Sequence, residues 1–162
     1  MRVILINGEI NDQAFATVEE KLSEFEREGD GPVIVRINSE GGEVYAALAI
    51  VGRLTSSPIE IITEGYGPVM SAATLILACG NKRRLSKYAW FMHHESTVKL
   101  KGRISNVIAE LEQEKAEELR WAVAMAELTN QDLKFWIKKG TGTDLYLSPE
   151  QCLELKIIDE II

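Results

Sequence analysis

A single serine stands at the start of an almost wholly apolar stretch near the middle of the chain. Ser71 follows the strand-like residues 59–63 and a segment, 65–68, that is marked by Gly and Pro, and an apolar helix is predicted to begin near Met70. A hydroxyl between a strand and a helix N-terminus lies where backbone N–H groups and the helix dipole favour a nearby negative charge. Serine is also a preferred N-cap residue, so Ser71 on its own is more simply explained as a helix cap.

Two other predicted loops carry groups that could act with this serine. Both histidines of the chain, His93 and His94, end one predicted strand, and Gly41 and Gly42 follow another. Ligands of parallel α/β sheets bind at the carboxyl ends of the strands, so these loops are expected at one edge. A serine nucleophile needs a neutral imidazole as base, a carboxylate that orients the imidazole, and N–H donors for the oxyanion. Gly41, Gly42 and the amide after Ser71 are candidate donors.

The residue pattern leaves three choices open. The acid is not identifiable, because the chain has 25 Asp and Glu residues in total. Adjacent strand residues point to opposite faces, so His93 and His94 cannot both meet Ser71, and the apolar character of both faces of 88–92 does not choose between them. The glycine pair can also simply open a helix or cradle a phosphate, although it lacks the Lys-Ser/Thr of a P-loop and the third glycine of a dinucleotide fingerprint.

Composition limits the class of function. The 162 residues, of which 46% are hydrophobic and 27% charged, indicate one globular domain, 1–162. The net charge of −7 argues against non-specific binding to nucleic acid or anionic membranes. No apolar run approaches the ~20 residues of a transmembrane helix. Cys79 and Cys152 form no Cys-x-x-Cys pair, so we expect no zinc site and two buried, reduced cysteines in a cytoplasmic protein.

Strand and helix patterns alternate along the chain, which is typical of an α/β protein with a largely parallel sheet. The predicted strands are 2–7, 33–37, 59–63 and 88–94, with a polar loop at 38–43 and a basic turn at 81–87. Helices are predicted from Asn11 or Asp12, over 44–54, near 70–79, over 104–128 and 131–139, and from Ser148 to Leu155. The longest helix has apolar residues on one face: Ile104, Val107, Ile108, Leu111, Leu119, Ala122, Val123 and Ala126.

Four short blocks follow one another in a specific order and spacing. They are Asn38–Gly42, Gly67–Gly80, Phe91–His94 and Asp144–Glu150. Together they resemble the proteolytic subunit of the Clp protease, within the crotonase-like superfamily, and the likeness runs from about Val3 to the C-terminus. The resemblance implies an α/β fold built as a spiral of ββα units. It also implies that residues 102–128 form a long protruding handle helix through which rings of subunits pair.

The resemblance implies a role for each candidate residue. Ser71 falls on the nucleophile, His94 on the general base and Asp144 on the acid that orients the histidine. Gly42 and Ala72 fall on the two positions whose backbone N–H groups form the oxyanion hole. The implied activity is that of an ATP-independent serine endopeptidase, which works through an acyl-enzyme and needs no cofactor or metal.

The resemblance also implies partners, and the sequence departs from the family pattern near some of them. The expected partners are peptides or unfolded proteins, further copies of the chain in a heptameric ring or stacked rings, and an AAA+ unfoldase. The family's N-terminal loops that contact the unfoldase have no counterpart here, which argues against a standard ATPase partner. Glu40 replaces a usual Pro and Ala72 a usual Met, and residues 95–97 replace the segment with the Pro expected after the base.

Two other functions fit the same resemblance less well. One is a non-catalytic subunit that uses the fold to form rings, and the other is a crotonase-type enzyme acting on acyl-CoA thioesters. Neither needs a Ser-His-Asp set. Because all three positions are filled, the sequence favours the peptidase.

Overall fold

The computed structural model describes residues 2–29, 31–129 and 131–162 and has the predicted α/β architecture. The elements in chain order are β1 (Val3–Ile10), α1 (Asp12–Glu28), β2 (Val33–Gly42), α2 (Val44–Thr55), β3 (Ile61–Met70), α3 (Ala73–Ala78), β4 (Lys82–Leu85), β5 (Trp90–His93), α4 (Ile104–Thr129), α5 (Leu133–Gly140), β6 (Leu145–Leu147), α6 (Pro149–Glu154) and β7 (Glu160–Ile161). Over the described residues, no helix combines the length and apolar composition needed to cross a membrane.

The strands form a mostly parallel sheet in which β3 changes partner along its length. The main order is β1-β2-β3-β4-β7, while β5 pairs with β3 and with the antiparallel β6. The first half of β3 lies beside β4, and residues 68–70 lie beside 90–92 of β5. Gly67, between the two halves, has a φ of +65°, and a Cβ there would lie 2.7 Å from Asn38 Oδ1. This change of partner brings Ser71, at the end of β3, next to the end of β5.

Three loops predicted from polar or turn-forming residues are wrong, because strands run through them. The segment 65–70 is the second half of β3, where Pro68 pairs with Trp90 on β5. The predicted loop 38–43 is largely the end of β2, which continues to Gly42 because β1 also continues and pairs with it. The predicted basic turn 81–87 contains β4, whose cationic side chains are paired with acids on neighbouring strands.

The core lies between one face of the sheet and the helices α1, α2 and α3. Every residue of α3 is buried, as are the inward positions of β1, β2 and β3. Two predicted helix starts are confirmed: Asn11 Oδ1 accepts a hydrogen bond from Ala14 N–H, and Ser148 and Gln151 form a capping box ahead of α6. Both cysteines are free and buried, as predicted.

The long helix α4 is anchored to the rest of the chain at its C-terminal end. Trp121, Ala122 and Met125 are buried against the core. Towards the N-terminus the apolar face predicted from spacing is exposed, with 81% of Ile104 and 52% of Ile108 accessible to solvent. The first turns of α4 therefore protrude from the core and carry an apolar face that none of the described residues covers.

Candidate active site

Ser71 occupies a strained turn between β3 and α3. Its φ of 51° lies in the left-handed region that serine rarely adopts. The turn is held by hydrogen bonds from Ser71 N–H to the Met92 carbonyl (2.8 Å) and from Thr74 N–H to the Ser71 carbonyl (3.0 Å). The N-cap position of α3 is Ala72, so Ser71 precedes the helix rather than capping it. Backbone strain of this kind persists where the surrounding structure enforces it, and it occurs often at functional sites.

The structure brings His94, and not His93, to the serine. His94 Nε2 lies 3.1 Å from Ser71 Oγ, within hydrogen-bond distance for proton transfer. The ring of His93 stacks on that of Trp121, with the ring centroids 3.5 Å apart and the planes 5° from parallel. Burial lowers the pKa of His93 to about 4, and the neighbouring His94 contributes to the lowering. His93 is therefore a neutral, packed ring at pH 7.

The end of β2 lies directly against the serine turn. A Cβ added to Gly41, whose φ is +106°, would lie 2.7 Å from Ser71 Cβ and 2.8 Å from the Met70 carbonyl oxygen. No side chain fits in that space, so glycine is required for this approach of the two backbones. The Gly41 N–H donates to Ser39 Oγ at 3.0 Å, so it is already used within the end of β2.

The two predicted oxyanion donors have N–H groups that the strand pairing leaves free to act. The Glu43 N–H donates to the Ile10 carbonyl of β1. Since N–H directions alternate along a strand, the Gly42 N–H is directed away from β1, towards the side of β3 and Ser71. The turn and loop hydrogen bonds of the described residues include none from the Ala72 N–H. Both amides therefore remain candidate donors to an oxyanion formed at Ser71.

Asp144 lies near His94 in the backbone but does not contact it. The antiparallel pairing of β5 and β6 ends with His93 opposite Leu145, so His94 and Asp144 are the next residues of the two strands. The Asp144 side chain is exposed, and the hydrogen bonds of the described residues do not join it to His94. The structure therefore brings together two of the three predicted triad residues and leaves the third beside them.

A cleft of about 200 Å³ opens beside Ser71 and His94. It lies where the start of α2, the middle of α4 and helix α5 meet. Its apolar lining consists of Val44, Ala72, Leu119, Trp121, Ala122, Trp136 and Ile137. A cleft of this composition beside a serine–histidine pair can hold an apolar side chain of a peptide next to the reacting bond.

Sequence reasoning missed three residues that line this cleft: Glu95, Glu118 and Trp121. Trp121 had a signal, since it is an aromatic residue at the start of the apolar run 121–126, directly after the charged stretch of α4. The two glutamates had none, because they act through contacts with residues 47 and 22 positions away. Such contacts follow no helical or strand period.

The sequence is similar over its whole length to one protein family and to named members of it. A sequence model of the family described as Clp protease matches residues 1–162. The chain is 30% identical over 171 residues to the ATP-dependent Clp protease proteolytic subunit 3 of Synechococcus sp. (strain CC9605), covering 99% of this chain and 82% of that protein. It is 26% identical over 164 residues to proteolytic subunit 2 of Corynebacterium efficiens, with 99% and 82% covered.

Proposed function

The chain belongs to the Clp protease family, and from that premise we propose that it is a serine endopeptidase in which Ser71, His94 and Asp144 form the catalytic triad. The observation that carries the proposal is the 3.1 Å contact between Ser71 Oγ and His94 Nε2, made by a serine in a left-handed turn. A packing contact would not require the strained turn. A nucleophile does, because the turn exposes the hydroxyl to both the base and the substrate.

The proposed reaction proceeds through an acyl-enzyme. Ser71 Oγ attacks the scissile carbonyl carbon while His94 Nε2 takes the hydroxyl proton. The oxyanion accepts hydrogen bonds from the Gly42 and Ala72 N–H groups. Collapse of the tetrahedral intermediate breaks the C–N bond, and His94 gives its proton to the leaving amine. A water molecule, deprotonated by His94, then attacks the ester and releases the acid product and the free serine.

Asp144 is proposed to orient His94 in the active form. A carboxylate on imidazole Nδ1–H fixes the tautomer that leaves Nε2 free to accept a proton, and it stabilises the imidazolium that forms. The strand register supports this role, because Asp144 and His94 are the first residues beyond the last pair of β5 and β6. A change of rotamer or a small movement of the turn before β6 is the step required.

The chain is proposed to work in the cytoplasm as a ring of copies that is itself an ATP-independent peptidase. The relatives are named as ATP-dependent proteolytic subunits. We assign any ATP dependence here to a separate unfoldase, since peptide hydrolysis by a serine triad consumes no nucleotide. Its own substrates are then short peptides and unfolded chains.

A fluorophosphonate probe tests the proposal, because it reacts covalently only with an activated serine. We expect mass spectrometry to place the label on Ser71 and to find none on the Ser71→Ala variant. The His94→Ala variant should label at least about 100-fold more slowly. His93→Ala should still label, and so should Ser105→Ala, a control that removes an exposed hydroxyl from α4.

A non-catalytic, ring-forming subunit is the second candidate, because the Asp144 carboxylate does not contact His94 in this structure. The two candidates differ in one measurement. If light scattering shows that the chain forms rings but the probe does not label Ser71, the protein is a non-catalytic subunit. That result would sink the peptidase proposal.

A further inference from the structure

The strands β5 and β6 separate just where the proposed catalytic residues lie. The last residue pair is His93 with Leu145, and the backbone pairing does not extend to His94 and Asp144. One hydrogen bond links the two segments beyond that point: the Gly142 N–H donates to Glu95 Oε2 at 3.1 Å. Gly142 lies two residues before Asp144 and has a φ of +82°, so it forms the bend of the turn that carries the acid.

A second carboxylate holds the segment that follows His94. The Ser96 N–H donates to Glu118 Oε1 of α4 at 2.6 Å. Two consecutive residues after the base are thus engaged, one with the turn before β6 and the other with α4. Hydrogen bonds that involve a carboxylate are stronger than those between neutral groups, so these two contacts are suited to fix an otherwise irregular segment.

Glu95 is placed to act on the turn rather than on the histidine. Neighbouring residues of an extended segment direct their side chains to opposite sides, so Glu95 does not reach the His94 ring from the next position. Its contact with Gly142 instead joins the segment after His94 to the turn of residues 141–144. The Asp144 side chain is exposed and has no bond of its own with His94, so the position of this turn decides whether the two can meet.

We propose that Glu95 is a positioning residue that holds the turn carrying Asp144 against His94 through the Gly142 N–H. The inference rests on the proposed function and adds to it a residue that the Ser-His-Asp set does not contain. The inference predicts that replacing Glu95 lowers activity only through its effect on Asp144. Where Asp144 is already absent, the replacement should lower activity no further.

A double-mutant cycle in peptide hydrolysis by the assembled protein tests this dependence. Glu95→Ala should lower kcat by about tenfold and leave KM nearly unchanged, since a small misplacement of a catalytic group slows the chemical step. Glu95→Gln keeps an acceptor oxygen and should lose less than about threefold. In an Asp144→Ala background, Glu95→Ala should have no further effect. Glu112→Ala, which removes an exposed carboxylate from α4, is the matched control and should leave kcat unchanged.

Hydrogen exchange tests this inference separately from the proposed function, because amide exchange rates can be measured whether or not the protein is an active peptidase. Glu95→Ala should speed exchange of the amides of residues 141–144 and leave that of β5 unchanged. Unchanged exchange, or losses of activity that add fully in the double variant, would overturn the inference even if the chain is a peptidase. If Glu95→Ala speeds this exchange but the wild type is inactive and carries no label on Ser71, the proposed function is overturned, and with it any contribution of Glu95 to catalysis.

Discussion

At the scale of single residues, the site depends on a close approach of two backbones. Gly41 and Ser71 both have positive φ, and the space between them excludes a Cβ on Gly41. The Gly8 position offers a comparison, because its φ is +89° but no atom of the described part of the chain lies within 4 Å of where its Cβ would be. Substitution of each glycine by Ala therefore introduces backbone strain at both positions, but only the substitution at Gly41 would also displace the nucleophile.

Gly41→Ala is expected to reduce labelling of Ser71 by about 100-fold, since the new methyl group would push the serine turn away from His94. Gly8→Ala should cost about 1 kcal/mol of stability from its positive φ and leave the labelling rate unchanged. Probe kinetics and thermal unfolding of both variants measure the difference. Equal labelling rates would show that the approach of Gly41 to Ser71 does not position the nucleophile.

His93 makes the stability of the protein depend on pH. Its pKa is about 4 in the folded chain, against an ordinary value of 6.5. As the pH falls through this window, the unfolded chain binds a proton before the folded chain does, so the free energy of unfolding decreases. Neutral His93 contributes at most about 3 kcal/mol to the free energy of unfolding. This contribution is fully present above about pH 6.5 and is lost once the pH falls below about 4.

His93→Phe should keep a flat ring on Trp121 and remove this titration. We expect urea unfolding to show a smaller loss of stability between about pH 7 and about pH 4.5 in the variant than in the wild type. The other titratable groups that line the same cleft, His94, Glu95, Lys115 and Glu118, are present in both proteins, so the comparison isolates His93. Parallel losses in the two proteins would contradict the assignment.

At the scale of elements, the sequence predicted where the strands begin better than where they end. The apolar runs of β2 and β5 and the helical spacing of α1, α2 and α4 were sufficient to place those elements. Strand ends were missed where residues of low β-propensity are held by a neighbour. In β4, Arg84 pairs with Glu64 on β3 and with Glu160 on β7, contacts between residues 20 and 76 positions apart. No local pattern contains that information.

The same limit applies to the candidate site. Ser71, the histidine pair and the glycine pair each follow an apolar run, so strand and helix patterns alone predicted that they meet at one edge. The choice of His94 and the selection of Asp144 came from the family resemblance. The contact of Glu95 with Gly142 was beyond prediction, because it joins two irregular segments whose approach is set by the pairing of β5 with β6.

At the scale of the whole molecule, the N-terminal end of α4 exposes an apolar surface to solvent. Ile104, Ile108 and Leu111 recur at helical spacing and are 81%, 52% and 40% exposed. An apolar stripe on a protruding helix is costly in water unless another surface covers it. In the proposed ring-forming peptidase, the same helix of another copy is the partner that shares its pattern, since a two-fold contact is self-complementary.

Replacement of Ile104 and Ile108 together by Glu should therefore reduce the assembled mass without unfolding the chain, because neither side chain belongs to the core. The matched control is Ser105→Glu with Ala109→Glu, which adds the same charge to neighbouring exposed positions on the same two turns, about 100° around the helix. Size-exclusion chromatography with light scattering gives the mass, and probe labelling of Ser71 reports on the site. If both double variants assemble like the wild type, the α4 stripe is not an interface between copies. If assembly is lost and labelling of Ser71 falls with it, the alignment of Asp144 with His94 depends on the neighbouring copy as well as on Glu95.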